Sequence, residues 1–150
     1  MRIALGADHA GVALKAEVRA LLESRGVEIV DVGAVSEESV DYPDYAAKVG
    51  EAVAHGDVDS GIIVCGTGLG MAIAANKVAG VRAVPVVDLD SARLGRAHNN
   101  ANVLALGARV TPPALALDIV STFLDTPFEG GRHQRRIDKI AALEQRQSPA

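Results

Sequence analysis

The 150-residue chain predicts an α/β fold: a three-layer α/β/α sandwich in which a Rossmann-like sheet of five parallel strands lies between two layers of helices. Two observations carry this prediction. Short β-branched runs alternate strictly with helical stretches, the order that right-handed crossovers turn into a parallel sheet covered on both faces. The composition is 49% hydrophobic yet includes only two Tyr, two Phe and no Trp, so the core must be filled by Ala, Val, Ile and Leu, which suits helices packed on a parallel sheet.

The elements follow in order. Arg2 to Leu5 reads as the first strand. Val12 to Arg25 is the helix after it, its apolar residues three or four apart and Gly26 supplying the stop. Val27 to Val32 is the second strand, and Tyr45 to His55 the second helix, opened by Pro43 where a missing N–H is of little consequence. Gly61 to Val64, Arg82 to Val87 and Val103 to Leu106 are the remaining strands, followed by helices over Met71 to Val78, Ser91 to His98 and Pro113 to Leu124. A further helix begins after Gly130-Gly131. The chain shows no internal repeat, linker or low-complexity tract, so residues 1–150 read as one domain, large enough to bury a core without disulfides or a metal. The polar end EQRQSPA, from about residue 145, is expected to fray without a function of its own.

Composition also excludes. One cysteine forms no internal disulfide and the opening apolar stretch is too short for a signal peptide, so a cytoplasmic protein is expected. No apolar run approaches the roughly 20 residues of a membrane span. A net charge of −4 and the shortage of aromatics argue against nucleic acid, which favours basic faces and stacking platforms. The expected partner is a small molecule.

In such a sheet ligands bind at the carboxyl ends of the strands, near the reversal of strand order. The residues there stand out. In GIIVCGTGLGMAIAANK, residues 61–77, an apolar strand runs through Gly66, Gly68 and Gly70 into a helix. Glycines let the backbone take positive φ and present bare amides to an anion at a helix start. Rival readings are a tight packing turn and a dinucleotide site with Asp88 on a ribose; the second fails because GTGLGM is not GxGxxG and follows the third strand. A P-loop fails for want of a closing Gly-Lys-Ser/Thr. Cys65 at the mouth of the turn sits in a field that favours its thiolate, fit for a base or nucleophile, or else it is buried filler. Asp8 and His9 follow the first strand, where Asp8 serves a site, caps a helix, or both. His98 and Asn99-Asn100 end the fourth helix, as a cap or as site residues. The expectation is that all these polar groups gather at one edge of the sheet. Arg132 and Arg136, four apart on one helix face, make a phosphate clamp or a solvated face. His55 reads as surface. No pair of the four histidines has metal-ligand spacing, so no metal is expected.

The motifs GADHAG, DYPDYA (41–46), CGTGLGMAIAANK (65–77), AHNNANVLALGAR (97–109) and EGGRHQRR (129–136) together resemble, in order and spacing, the ribose-5-phosphate isomerase B family, which also includes galactose- and allose-6-phosphate isomerases. The resemblance implies an aldose–ketose isomerisation through an enediolate, with no cofactor. It makes Cys65 the base and Thr67, with the amides of Gly66, Gly68, Leu69 and Gly70, the hole for the enediolate oxygen. It gives His98 the opening of the furanose ring and Asp8 contacts and proton relay at the sugar hydroxyls. His9, Arg132 and Arg136 would hold the phosphate, Arg109 reach it, and Tyr42 and Asn99 line the site. Some members use a glutamate on the glycine turn; Met71 stands at the matching place here, which leaves Cys65 as the base on that loop. Family members are dimers or tetramers whose sites draw on two subunits, the His98 segment reaching across. The full residue set points to ribose 5-phosphate. The alternatives are another aldose phosphate, whether allose 6-phosphate, galactose 6-phosphate or a tetrose 4-phosphate, and a non-catalytic phosphosugar-binding module. Cys65, Thr67 and His98 together favour the enzyme.

Overall fold

The computed structural model describes residues 1–147. Strands β1 (Arg2–Ala7), β2 (Glu28–Gly33), β3 (Ser60–Cys65), β4 (Ala83–Pro85) and β5 (Val103–Gly107) form one parallel sheet in the order β2-β1-β3-β5-β4. Helices α1 (Val12–Ser24), α2 (Tyr42–Ala54), α3 (Leu69–Ala75), α4 (Leu89–Ala97) and α5 (Pro113–Asp125) follow the strands, and α6 (Arg132–Gln147) completes the described chain. This is the sandwich the sequence predicts. Helix α6 carries the first residues of the EQRQSPA segment as far as Gln147, where fraying was expected; residues 148–150 lie outside the described residues.

The three central strands are buried along almost their whole length, which is why they read as unbroken apolar runs. Their side chains alternate between two cores. Ile3, Leu5, Ile62, Val64, Leu104 and Leu106 pack with Val18 and Leu22 of α1 and Ile119, Val120 and Phe123 of α5. Ala4, Ile63, Val103 and Ala105 face Val49 of α2 and Met71, Ala72 and Ala75 of α3. The second face carries the smaller residues, and α2 comes correspondingly close: a Cβ on Gly61 would lie 2.4 Å from a methyl of Val49.

Differences from the sequence reading concern element ends. Strand β4 is only Ala83–Pro85, shorter than Arg82 to Val87, because it is an edge strand paired to β5 alone and ends on a proline that cannot donate to a ladder. Helix α2 starts at Tyr42 with Pro43 in its first turn. Asp88, weighed above as a ribose partner, caps α4 by accepting from the Ser91 amide at 2.7 Å.

Strand order turns between β1 and β3, and this fixes where a ligand can sit. The carboxyl ends of β1, β3 and β5 meet along one edge, where the Asp8 amide donates to the Val64 carbonyl (3.1 Å) and the Ala108 amide to the Cys65 carbonyl (2.8 Å). Each helix returns against the strands, so its own C-terminus lies at the opposite, amino edge.

Candidate active site

At the carboxyl edge β3 ends in Cys65, buried at 4% exposure, whose Sγ accepts from the Gly68 amide at 3.0 Å. That amide turns back on the sulfur because Gly68 holds φ at +80°, a left-handed conformation that favours glycine. The expectation that Gly66, Gly68 and Gly70 all take positive φ is corrected here, since only Gly68 does. The other two are small for close approach: a Cβ on Gly66 would lie 3.1 Å from the Arg109 guanidinium, and one on Gly70 would lie 2.6 Å from the Tyr42 ring. The glycine spacing thus seats Arg109 and Tyr42 over the turn. Thr67 is exposed, its Oγ1 accepting from the Leu69 amide at 3.3 Å. The Arg109 amide donates to the Gly66 carbonyl at 2.9 Å, tying the end of β5 to the turn.

Asp8 combines both of its readings. Its carboxylate is nearly buried at 6% exposure, and Oδ1 accepts from the Ala10 and Gly11 amides at 2.9 and 3.1 Å, capping a single 3₁₀ turn, His9–Gly11, while Oδ2 lies outside those two bonds. Gly11 lets this turn press onto β3, since a Cβ there would fall 2.3 Å from the Val64 carbonyl oxygen. Asp8 is thereby brought to the strand end that carries Cys65. His9 Nδ1 accepts from the Val40 amide at 3.2 Å, holding the segment that leads to Tyr42. One edge therefore assembles Asp8, His9, Tyr42, Cys65, the 66–70 turn and Arg109.

The remaining predicted residues are elsewhere. His98 follows the last residue of α4, and α4 runs against the strands, so His98 and Asn99 belong to the amino edge. There the Asn102 carbonyl accepts from Gly61 at the start of β3 and Arg82 Nε donates to the Asn100 carbonyl at 2.8 Å. The expectation of a single polar edge is thus corrected. The six residues of β3, roughly 20 Å of extended chain at ~3.3 Å per residue, separate the two edges, and Cys65 and His98 of one chain do not meet. Asn100 is structural: it takes the left-handed conformation (φ 45°) that asparagine tolerates, and its Oδ1 accepts from Arg96 at 2.9 Å. Asn99 is exposed beside His98.

Helix α6 joins this second cluster. The Glu129 amide donates to the Ala97 carbonyl at 3.0 Å, and the His133 ring stacks on His98 with centroids 4.2 Å apart and planes 13° apart. Glu129 Oε2 lies 3.7 Å from His98 Nε2 and 3.5 Å from His133 Nε2. Burial, reinforced by the positive charge of His98 and Arg132, pushes the His133 imidazole below its ordinary pKa against the opposing pull of Glu129. Arg132 and Arg136 are exposed on the first turns of α6. Sequence reasoning passed over Glu129 and His133, although their spacing of four within the quoted EGGRH motif was a usable sign that they face each other.

A parallel α/β sheet with a thiol, a carboxylate and an amide-lined turn at its carboxyl edge has the parts of an enzyme that holds a small anionic substrate and works on it with a base or a nucleophile. Residues 3–140 match the family model described as Ribose/Galactose Isomerase, and the chain belongs to that family. It is 53% identical over 147 residues to ribose-5-phosphate isomerase B of Escherichia coli (strain K12), covering 98% of this chain and 99% of that protein. Among solved structures, ribose-5-phosphate isomerase B of Clostridium thermocellum superposes with a TM-score of 0.98 at 52% identity, covering 99% and 100% of the two chains. The enzyme of Mycoplasma genitalium, solved with bound ribulose-5-phosphate, superposes with a TM-score of 0.92 at 44% identity and 96% coverage of each. No helix of the described residues is long and apolar enough to cross a membrane.

Proposed function

We propose that this chain interconverts ribose 5-phosphate and ribulose 5-phosphate through an enediolate. Cys65 is the base that carries the proton between C1 and C2 of the opened sugar. The observation that carries this reading is the position of Sγ at the mouth of the glycine turn, 3.0 Å from the Gly68 amide. Amides aimed at developing negative charge stabilise an oxyanion in the same place that the base works. The turn from Gly66 through Leu69 to Gly70, with Thr67, takes the enediolate oxygen. Asp8 meets the sugar hydroxyls through the carboxylate edge left over from capping. His9 and Arg109 contact the phosphate, and Tyr42 lines the site. Proton transfer between adjacent carbons changes no net oxidation state, so no cofactor is required.

The other half of the site comes from a second copy of the chain. His98, which opens the furanose ring, Asn99, which lines the pocket, and the phosphate-binding Arg132 and Arg136 stand at the amino edge, out of reach of Cys65 in the same chain. A homodimer, or a homotetramer built from such dimers, lays the amino edge of one subunit against the carboxyl edge of its partner. Residues 1–150 form the one domain that supplies both halves. A lone reactive thiol persists in a reducing compartment, which favours the cytoplasm.

The test is a panel of aldose phosphates of four to six carbons, assayed for ketose formation with purified protein. Ribose 5-phosphate is expected to turn over fastest. Preference for a hexose or tetrose phosphate would reassign the substrate within the same chemistry, and binding without turnover of any would overturn the enzyme reading.

A further inference from the structure

Glu129 and His133 have no task in the chemistry above, yet folding sets both against His98. One ring nitrogen of His98, one of His133 and a carboxylate oxygen of Glu129 all lie within 4.8 Å of one another, and Oε2 of Glu129 lies 3.7 Å from Nε2 of His98 and 3.5 Å from Nε2 of His133. Three atoms within 4.8 Å of one another share a centre no farther than about 2.8 Å from each, which small side-chain movements bring to the ~2.0–2.2 Å that zinc takes from imidazole nitrogen and carboxylate oxygen. His133 is buried at 6% exposure, and its Nε2 has no hydrogen-bond partner. A buried ring nitrogen without a hydrogen bond, 3.5 Å from a carboxylate oxygen, is an incomplete polar cluster that a cation would complete.

We infer that His98, Glu129 and His133 form a site for a divalent transition-metal ion of the zinc type, and that occupancy withdraws His98 from the sugar and inhibits the isomerase. The inhibition clause rests on the function proposed above; the binding clause stands on the geometry alone. Two imidazoles and one carboxylate select zinc, cobalt, nickel or copper over magnesium or calcium, which prefer oxygen. Buried His133 is the fixed ligand, and imidazole nitrogen is a common ligand for such ions. His98 is 38% exposed at its side chain, so its ring has room to tilt from the 13° stack on His133 and bring its in-plane lone pair to the ion. The charges of Arg132 and Arg136, which also act on His133, oppose a cation, so the affinity expected is micromolar, suited to reversible inhibition. A fourth coordination position stays open to water.

Calorimetry with Zn²⁺ on the full-length Cys65→Ala protein tests binding with the competing thiol removed. One ion per chain is expected, at least tenfold weaker in Cys65→Ala/Glu129→Gln, a change at an exposed carboxylate that leaves the fold intact, and lost in Cys65→Ala/His133→Asn. Co²⁺ should give a visible absorption band in Cys65→Ala that saturates only at an at least tenfold higher concentration once Glu129 is also replaced. Absence of binding, or binding unchanged by Glu129→Gln, would overturn the site. In the wild type, Zn²⁺ should inhibit reversibly to a chelator, with the inhibition curve at least tenfold weaker in Glu129→Gln. Zinc bound through these residues without inhibition would overturn the inhibitory role. Zinc binding in a protein that turns over no sugar phosphate would leave the site standing and defeat the functional reading instead.

Discussion

The two edges of the sheet carry the two halves of the proposed site and are built by different means. At the carboxyl edge each group is pinned by the backbone: Cys65 by the Gly68 amide, Asp8 by Ala10 and Gly11, Arg109 and Tyr42 by the slots over Gly66 and Gly70. At the amino edge the groups hang from a helix end and the exposed start of α6, and their only mutual contacts among those described are a ring stack and a shared carboxylate. The rigid half suits chemistry, which needs atoms held in a near-attack geometry. The amino-edge half, less tied to the backbone, carries the ring-opening His98 and the phosphate-binding arginines of the proposed function, and it is the half a second subunit would complete.

The comparison can be broken at several points. The largest expected effect is at the pinned thiol: Cys65→Ala should fold normally and lose roughly 10²–10⁴ of kcat, the contribution of a positioned acid or base, with KM nearly unchanged. Near wild-type turnover would make the thiol filler and move attention to Asp8. On the amino edge, Arg132→Ala or Arg136→Ala should raise KM about 10- to 100-fold, since a charge-assisted contact contributes roughly 1.5–3 kcal/mol, while thermal stability stays put. An unchanged KM in both would return these arginines to solvent. Gly68→Ala should be smaller still in free energy, about 1–2 kcal/mol of stability from forcing a side chain into the left-handed region, and it should also slow turnover by turning the amide off the sulfur. Denaturant melts beside steady-state rates check both. His98→Asn should slow the cyclic sugar more than an acyclic analogue, and equal slowing of the two would remove ring opening from its duties.

What could be read in the sequence follows the same division. Central strands announce themselves as apolar runs because both their faces are covered, and CGTGLG announces a turn because its glycines have local reasons to be there. Even so, their reasons differ: a positive φ at Gly68, but a tyrosine ring over Gly70 and a guanidinium over Gly66, contacts from Tyr42 and Arg109 that no local pattern reveals. His98 lies at the amino edge because the helix that carries it runs against the strands, a direction that the grouping of polar residues along the sequence does not show. Glu129 and His133 were missed for a related cause, since their meaning lies in a stack on His98 from another element. Short strand β4 was overextended because an edge strand ending at Pro85 has no second neighbour to prolong it.

In the proposed function one catalytic unit needs the carboxyl edge of one chain and the amino edge of another. Mixing Cys65→Ala and His98→Asn chains, assayed on the cyclic sugar that both variants turn over slowly, tests this need, with subunit exchange verified by native mass spectrometry of differently tagged chains. In a mixed dimer one of the two sites then joins an intact Cys65 edge to an intact His98 edge. Activity well above that of either parent is expected in the mixture, approaching about a quarter of wild type at equal mixing, because half the dimers are hybrid and each holds one whole site. No recovery despite proven exchange would mean that each site lies within one chain, and would contradict the account.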